Sequence, residues 1–138
     1  MEITIEQAQG RVPVTVMKLD GELEAKNYVN VIDSGKEIYE AGARDLLMDL
    51  SDLSFMSSSG LVALHSLVLL MRGEEPDDPE AGWSALHAIA EEVESGAKPE
   101  EHFKLLNPQP RVDKTLEITG FKKLFEIHTD REEAIASF

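Results

Sequence analysis

Leu46-Leu-Met-Asp-Leu-Ser-Asp-Leu-Ser-Phe-Met-Ser-Ser-Ser-Gly-Leu61 passes from apolar run to polar turn to helix start within sixteen residues. From Asp45 to Leu50 the run shows almost no alternation of apolar and polar residues, which suits a central strand covered on both faces. Ser57-Ser-Ser-Gly60 then reads as a polar turn. Beyond it, Leu61 to Met71 reads as a helix with Leu61, Leu64, Val68 and Met71 along one side.

Working outward toward the N-terminus, Ile3 and Ile5, then Val12, Val14, Val16 and Leu19, alternate with period two and mark two strands joined at Gln9-Gly10. Asp20-Gly21 reads as the end of the second. Ala25 to Ala41 carries Tyr28, Val31, Ile32, Ile38 and Tyr39 at helical spacing, and Gly42 is its expected stop. Toward the C-terminus, Phe103–Leu106 is a strand closed by Asn107-Pro108. Val112, Leu116 and Ile118 mark a short helix ending at Gly120, and Leu124–Ile127 is an expected strand. Asp130 caps a last helix bearing Ala134, Ile135 and Phe138. This alternation predicts one α/β domain over residues 1–138, with a mixed, mostly parallel sheet of about four to five strands packed against helices.

Residues 72–102 break the rhythm, with ten acids against two bases, a net −8 out of the chain's −14. Asp78, Pro79 and Gly96 bracket an expected helix near 79–95, with Trp83, Leu86, Ile89, Ala90 and Val93 on one stripe. That stripe is expected to cover the body of its own domain; the alternative is a docking face for a partner or a second copy. A monomer is the expectation, with a weak dimer if the stripe does not pack at home.

Twenty-seven acids against 13 bases argue against a surface that neutralises phosphates, so neither nucleic acid nor an anionic membrane is an expected partner. Zero cysteines exclude disulfides, thiolate metal sites and a cysteine nucleophile. With no leader-like start and no long apolar span, a cytoplasmic protein is expected. The four histidines include no His-x-x-x-His or similar ligand pair, so no metal and no cofactor are expected. Ser58, His65, Asp49 and Asp52 lie close in sequence. However, His65 falls two turns into the helix, roughly 10 Å along the axis from Ser58, too far for direct proton transfer. Neither a Gly-x-Ser-x-Gly elbow nor a P-loop occurs, so no catalytic residue is assigned and no turnover is expected.

Four pieces occur in register: Leu19-Asp-Gly-Glu-Leu23, Leu46 to Leu61, Leu105-Leu-Asn-Pro108 and Leu116-Glu-Ile-Thr-Gly-Phe121. In this order they resemble the STAS domains, and in particular the bacterial anti-sigma factor antagonists. The resemblance spans about residues 3–71 and 102–138 and leaves 72–102 as an acidic insertion. It implies a partner-switching protein that, when unmodified, binds a serine kinase acting also as an anti-sigma factor and so frees a sigma factor. Phosphorylation of a serine ends the binding and a serine phosphatase restores it. The acceptor position falls on Ser58, with Ser59 and Ser57 as alternates, and Ser57 stands where the family has aspartate. The resemblance also sets the loop at Gly21 beside the serine turn. The implied partner surface is then Gly21, Glu22, Leu23 and Glu24 with Met56, Ser57, Ser58, Ser59, Gly60 and Leu61. The alternative is a constitutive, non-enzymatic scaffold that keeps the fold and has lost the switch.

Overall fold

The computed structural model describes residues 1–76, 87, 90–92, 94–96 and 98–138. Its five strands lie side by side in chain order: β1 (Glu2–Gln9), β2 (Pro13–Leu23), β3 (Leu46–Met56), β4 (Phe103–Leu106) and β5 (Ile127–His128). β1 runs antiparallel to β2, whereas the β2–β3, β3–β4 and β4–β5 pairs are parallel, so the sheet is mixed and mostly parallel. The helices α1 (Tyr28–Glu40), α2 (Ser58–Met71) and α3 (Pro110–Thr119) lie between strands, and α4 (Arg131–Ala136) follows the last one. Parallel neighbours need crossovers, and those crossovers set helix starts at the carboxyl ends of the strands.

The absence of alternation in β3 has the expected cause, since Leu46 to Leu50 are buried on both faces. Met17, Leu19, Met48 and Leu50 meet Val31 and Ile32 of α1 and Leu64 and Leu67 of α2 in the larger core. Val14, Val16, Leu47 and Leu106 form a smaller core against Ala134 on α4. α1 and α2 approach closely, because a Cβ at Gly35 would run into the Leu67 side chain. α1 stops as expected, with Gly42 in the positive-φ region at 109°.

Several boundaries differ from the sequence reading: α1 starts at Tyr28 rather than Ala25, and α4 ends at Ala136, short of Phe138. β2 continues through Asp20-Gly21 to Leu23, because Gly21, at φ 118°, sits at a register shift that lets the ladder resume as Glu22↔Phe55 and Leu23↔Met56. β3 extends to Met56, and α2 begins at Ser58 rather than Leu61, so the expected polar turn is the first turn of the helix. α2 also lacks a single apolar side: it is buried from Gly60 through Val68, including His65 and Ser66. Leu124–Ile127 is not a strand. Phe121–Lys123 form a 3₁₀ turn and only Ile127–His128 pair with β4. Leu124 and Phe125 are apolar because they pack; the Phe125 ring stands 5.3 Å from that of Phe103.

The expected helix near 79–95 falls largely outside the described residues, and so do Trp83, Leu86, Ile89 and Val93. Of that stretch, His87, Ala90, Glu91, Glu92 and Glu94 have helical backbone. Among the described residues no helix is long and apolar enough to cross a membrane.

Candidate functional site

Two consecutive crossovers bring the two expected surface segments together. β2 and β3 leave the sheet side by side, and Ser57 N donates to Leu23 O at 2.9 Å across their ends. In the ladder Leu23 is opposite Met56 and, one residue earlier on each strand, Glu22 is opposite Phe55. Ser54 Oγ donates to Gly21 O at 3.0 Å. The end of β2 from Gly21 to Leu23, with Glu24 beyond it, and the serine turn are therefore one piece of surface.

Within the turn, Ser57 is extended (φ −84°, ψ 176°) and occupies the N-cap position of α2, so Ser58 is the first helical residue. The Ser57 side chain makes no capping bond, and its Oγ is buried without a hydrogen-bond partner among the described residues. Ser58 is exposed, Ser59 partly so, and the first turn carries no acid. The first amides of a helix lack intrahelical acceptors and carry the positive end of its dipole, so this mouth tolerates added negative charge.

The other expected contact residues divide sharply. Gly21 and Glu24 are half-buried and Glu22 is exposed. Leu23, Met56, Gly60 and Leu61 are buried and form the floor of the patch, so they support a contact surface without facing a partner. Gly60 is required there: a Cβ would come within 2.5 Å of Met56 Cγ and 3.1 Å of Leu23.

Nearby charges are modest. Lys18 Nζ lies 2.8 Å from Asp52, and that hydrogen bond and charge raise the lysine above its ordinary value. The Arg111 guanidinium stands over the Phe55 ring at 5.2 Å.

The polar residues near Ser58 in sequence do not converge on it. His65 Nε2 lies 2.9 Å from Glu92 Oε2, Asp49 Oδ1 accepts from Ser51 Oγ at 2.6 Å, and Asp52 is taken by Lys18. Among the described residues no group of three His, Cys, Asp or Glu side chains is placed to hold a metal.

Sequence reasoning missed Asn27. It is buried, its Oδ1 accepts from Glu24 N at 2.8 Å, and its Nδ2 donates to Glu22 O at 2.9 Å. The available signal was an Asx residue just ahead of a helix, three positions after an acid.

Solved structures share this fold. A Thermotoga maritima protein assigned provisionally to the anti-sigma factor antagonists superposes with TM-score 0.68 at 16% identity, over 96% of this chain and 91% of its own. The anti-sigma factor antagonist SpoIIAA in its unphosphorylated form gives TM-score 0.60 at 23% identity, over 97% and 93%. The phosphorylated form of Bacillus SpoIIAA gives 0.54 at 23%, over 97% and 96%. No curated protein matches the chain by sequence. Residues 5–74, half of the chain, match the family model of the STAS domain, which spans β2, α1, β3, the serine turn and α2. On that match and that fold, the chain belongs to the STAS domain family.

Proposed function

We propose that this chain is an anti-sigma factor antagonist of a partner-switching system. Unmodified, it binds a serine kinase that is also an anti-sigma factor; phosphorylation at Ser58 ends the binding, and a serine phosphatase restores it. The observation that carries the reading is the exposed Ser58 in the first turn of α2, joined through the β2–β3 ends to the acidic Glu22–Glu24 segment. SpoIIAA, which has the same fold, is known in both unphosphorylated and phosphorylated forms. The chemistry proposed for the chain is recognition, without turnover. Residues 1–138 act as one domain, with 72–102 as its insertion.

A phosphate on Ser58 adds about −1.5 to −2 charges at pH 7. The helix mouth accommodates that charge, so the fold stays as it is. A partner that had buried the neutral hydroxyl must instead desolvate a dianion without a matching cation. A loss of about 4 kcal/mol weakens binding about a thousandfold, which is enough for a switch.

The test is a titration of purified serine kinases against wild type, Ser58→Ala and Ser58→Asp, with peptide mapping after incubation with ATP. One phosphate within residues 57–59 and a clear loss of affinity in Ser58→Asp are expected. A phosphate elsewhere, or equal affinities for all three proteins, would overturn the reading.

A further inference from the structure

Asn27 stands at the N-cap position of α1, yet its side chain makes no bond to that helix. An asparagine there ordinarily accepts from an amide of the first turn and so stabilises the helix start. Here the carboxamide turns back onto the preceding loop and uses both of its ends there, accepting from Glu24 N and donating to Glu22 O. Glu24 O in turn accepts from Asn27 N at 3.1 Å and from Tyr28 N at 2.9 Å. The end of β2 is tied to the other side of the patch, Leu23 O to Ser57 N and Gly21 O to Ser54 Oγ. One buried amide thus closes the bracket that holds the two acids next to the serine turn.

We infer that Asn27 is a positioning residue for partner recognition, fixing the chain where it leaves β2 at Glu24 against the paired Glu22, so that a basic partner surface meets both carboxylates and the Ser58 hydroxyl as one preformed patch. The inference rests on the function proposed above. Its physical content is preorganisation: a loop already in its bound shape loses less freedom when the partner arrives. It also bears on kinetics, because acids held in place steer a basic partner and speed encounter more than they slow escape. A merely structural role would lower stability without changing the salt dependence of association, so that dependence is the readout that separates the two.

The test measures association with the purified serine kinase that binds the wild-type chain, across a series of salt concentrations. Asn27→Ala is expected to lower affinity about tenfold and to flatten the salt dependence of the association rate toward that of Glu22→Gln/Glu24→Gln. On that double-acid background, Asn27→Ala should add less than about twofold. Asn27→Ser supplies the control for folding: serine is small and polar but cannot bridge Glu22 O and Glu24 N, so like Asn27→Ala it should lower thermal stability while the chain stays folded at the assay temperature, and still lose affinity. Faster amide exchange at Glu24 in both variants would register the freed loop directly. Additive effects of Asn27→Ala and the acid substitutions, or wild-type binding by Asn27→Ser, would overturn this inference while leaving the function intact. If no serine kinase binds wild type, the functional reading falls and this inference with it.

Discussion

The two ends of α2 are treated in opposite ways. At its start Ser57 does not cap, the Ser57 hydroxyl lacks a partner among the described residues, and Ser58 is exposed beside open amides. At its far end the charges are engaged. Arg72, one residue past the helix, holds both Glu92 (2.8 Å) and Glu100, and His65 Nε2 lies 2.9 Å from Glu92. A cation at a helix C-terminus also has the favourable sign for the dipole. The C-terminal end is therefore clasped by the chain's own acidic segment, while the N-terminal end is left for something else. A helix buried almost all round can be approached by a partner where its polar groups remain unspent.

The largest expected effect comes from undoing the clasped end. Arg72→Ala would leave Glu92 and Glu100, 22% and 11% exposed, without their shared cation. The arginine is itself 34% exposed. Its loss should therefore fall between the roughly 0–1 kcal/mol of an exposed pair and the roughly 3–5 kcal/mol of a broken buried one, at about 2 kcal/mol. Urea unfolding at neutral pH measures this. A change within the scatter of ordinary surface substitutions would mean that the clasp is decorative and that the two ends differ less than their geometry indicates.

How much of this was legible in the sequence follows from the range of each interaction. Strand identity in β1 to β4 came from local alternation or its absence, and the helix stops at Gly42 and Gly120 came from single residues with φ of 109° and 81°. The serine turn was visible through its polar run and family resemblance, but its register was not. Whether Ser57 or Ser58 is the cap depends on where β3 lets go, and that is decided by pairing with Leu23, more than thirty residues earlier. The Leu124–Phe125 misreading has a similar origin, because a buried turn and a buried strand share an apolar composition. Asn27 and the Arg72–Glu92–His65 cluster depend on tertiary proximity, and a run of acids in sequence does not say which one meets an arginine.

Acid should loosen the clasped end selectively, by less than removing Arg72 does. Burial pushes the Glu92 carboxyl up, but hydrogen bonds and charge from Arg72 and His65 outweigh it and hold the group below its ordinary value. A lowered folded value means stability that is complete above the ordinary glutamate value of 4.5 and is lost as pH falls through the folded one. Protonating Glu92 removes one partner while Arg72 keeps Glu100. The effect should therefore appear below about pH 4.5 as added amide exchange in residues 90–92 and 94–96, ahead of β3. In Glu92→Gln that pH dependence should disappear; its persistence would place the sensitive carboxylate elsewhere.

The smallest effect is the most diagnostic for the open end, and it is a contrast between two helix starts. Asp130 does what Ser57 does not, since its Oδ1 accepts from Glu133 N at 3.1 Å as the N-cap of α4. Asp130→Ala should therefore destabilise by about 1 kcal/mol. Ser57→Ala removes a hydroxyl that makes no capping bond and is buried unpaired among the described residues, and an unpaired buried hydroxyl carries a desolvation penalty that alanine lacks. Its change in stability should be near zero, within about 0.5 kcal/mol, or slightly favourable. Thermal unfolding of the two variants side by side checks the contrast. A Ser57→Ala loss equal to that of Asp130→Ala would show that the serine caps α2 in solution, and the start of the helix would then be no more open to a partner than its clasped end.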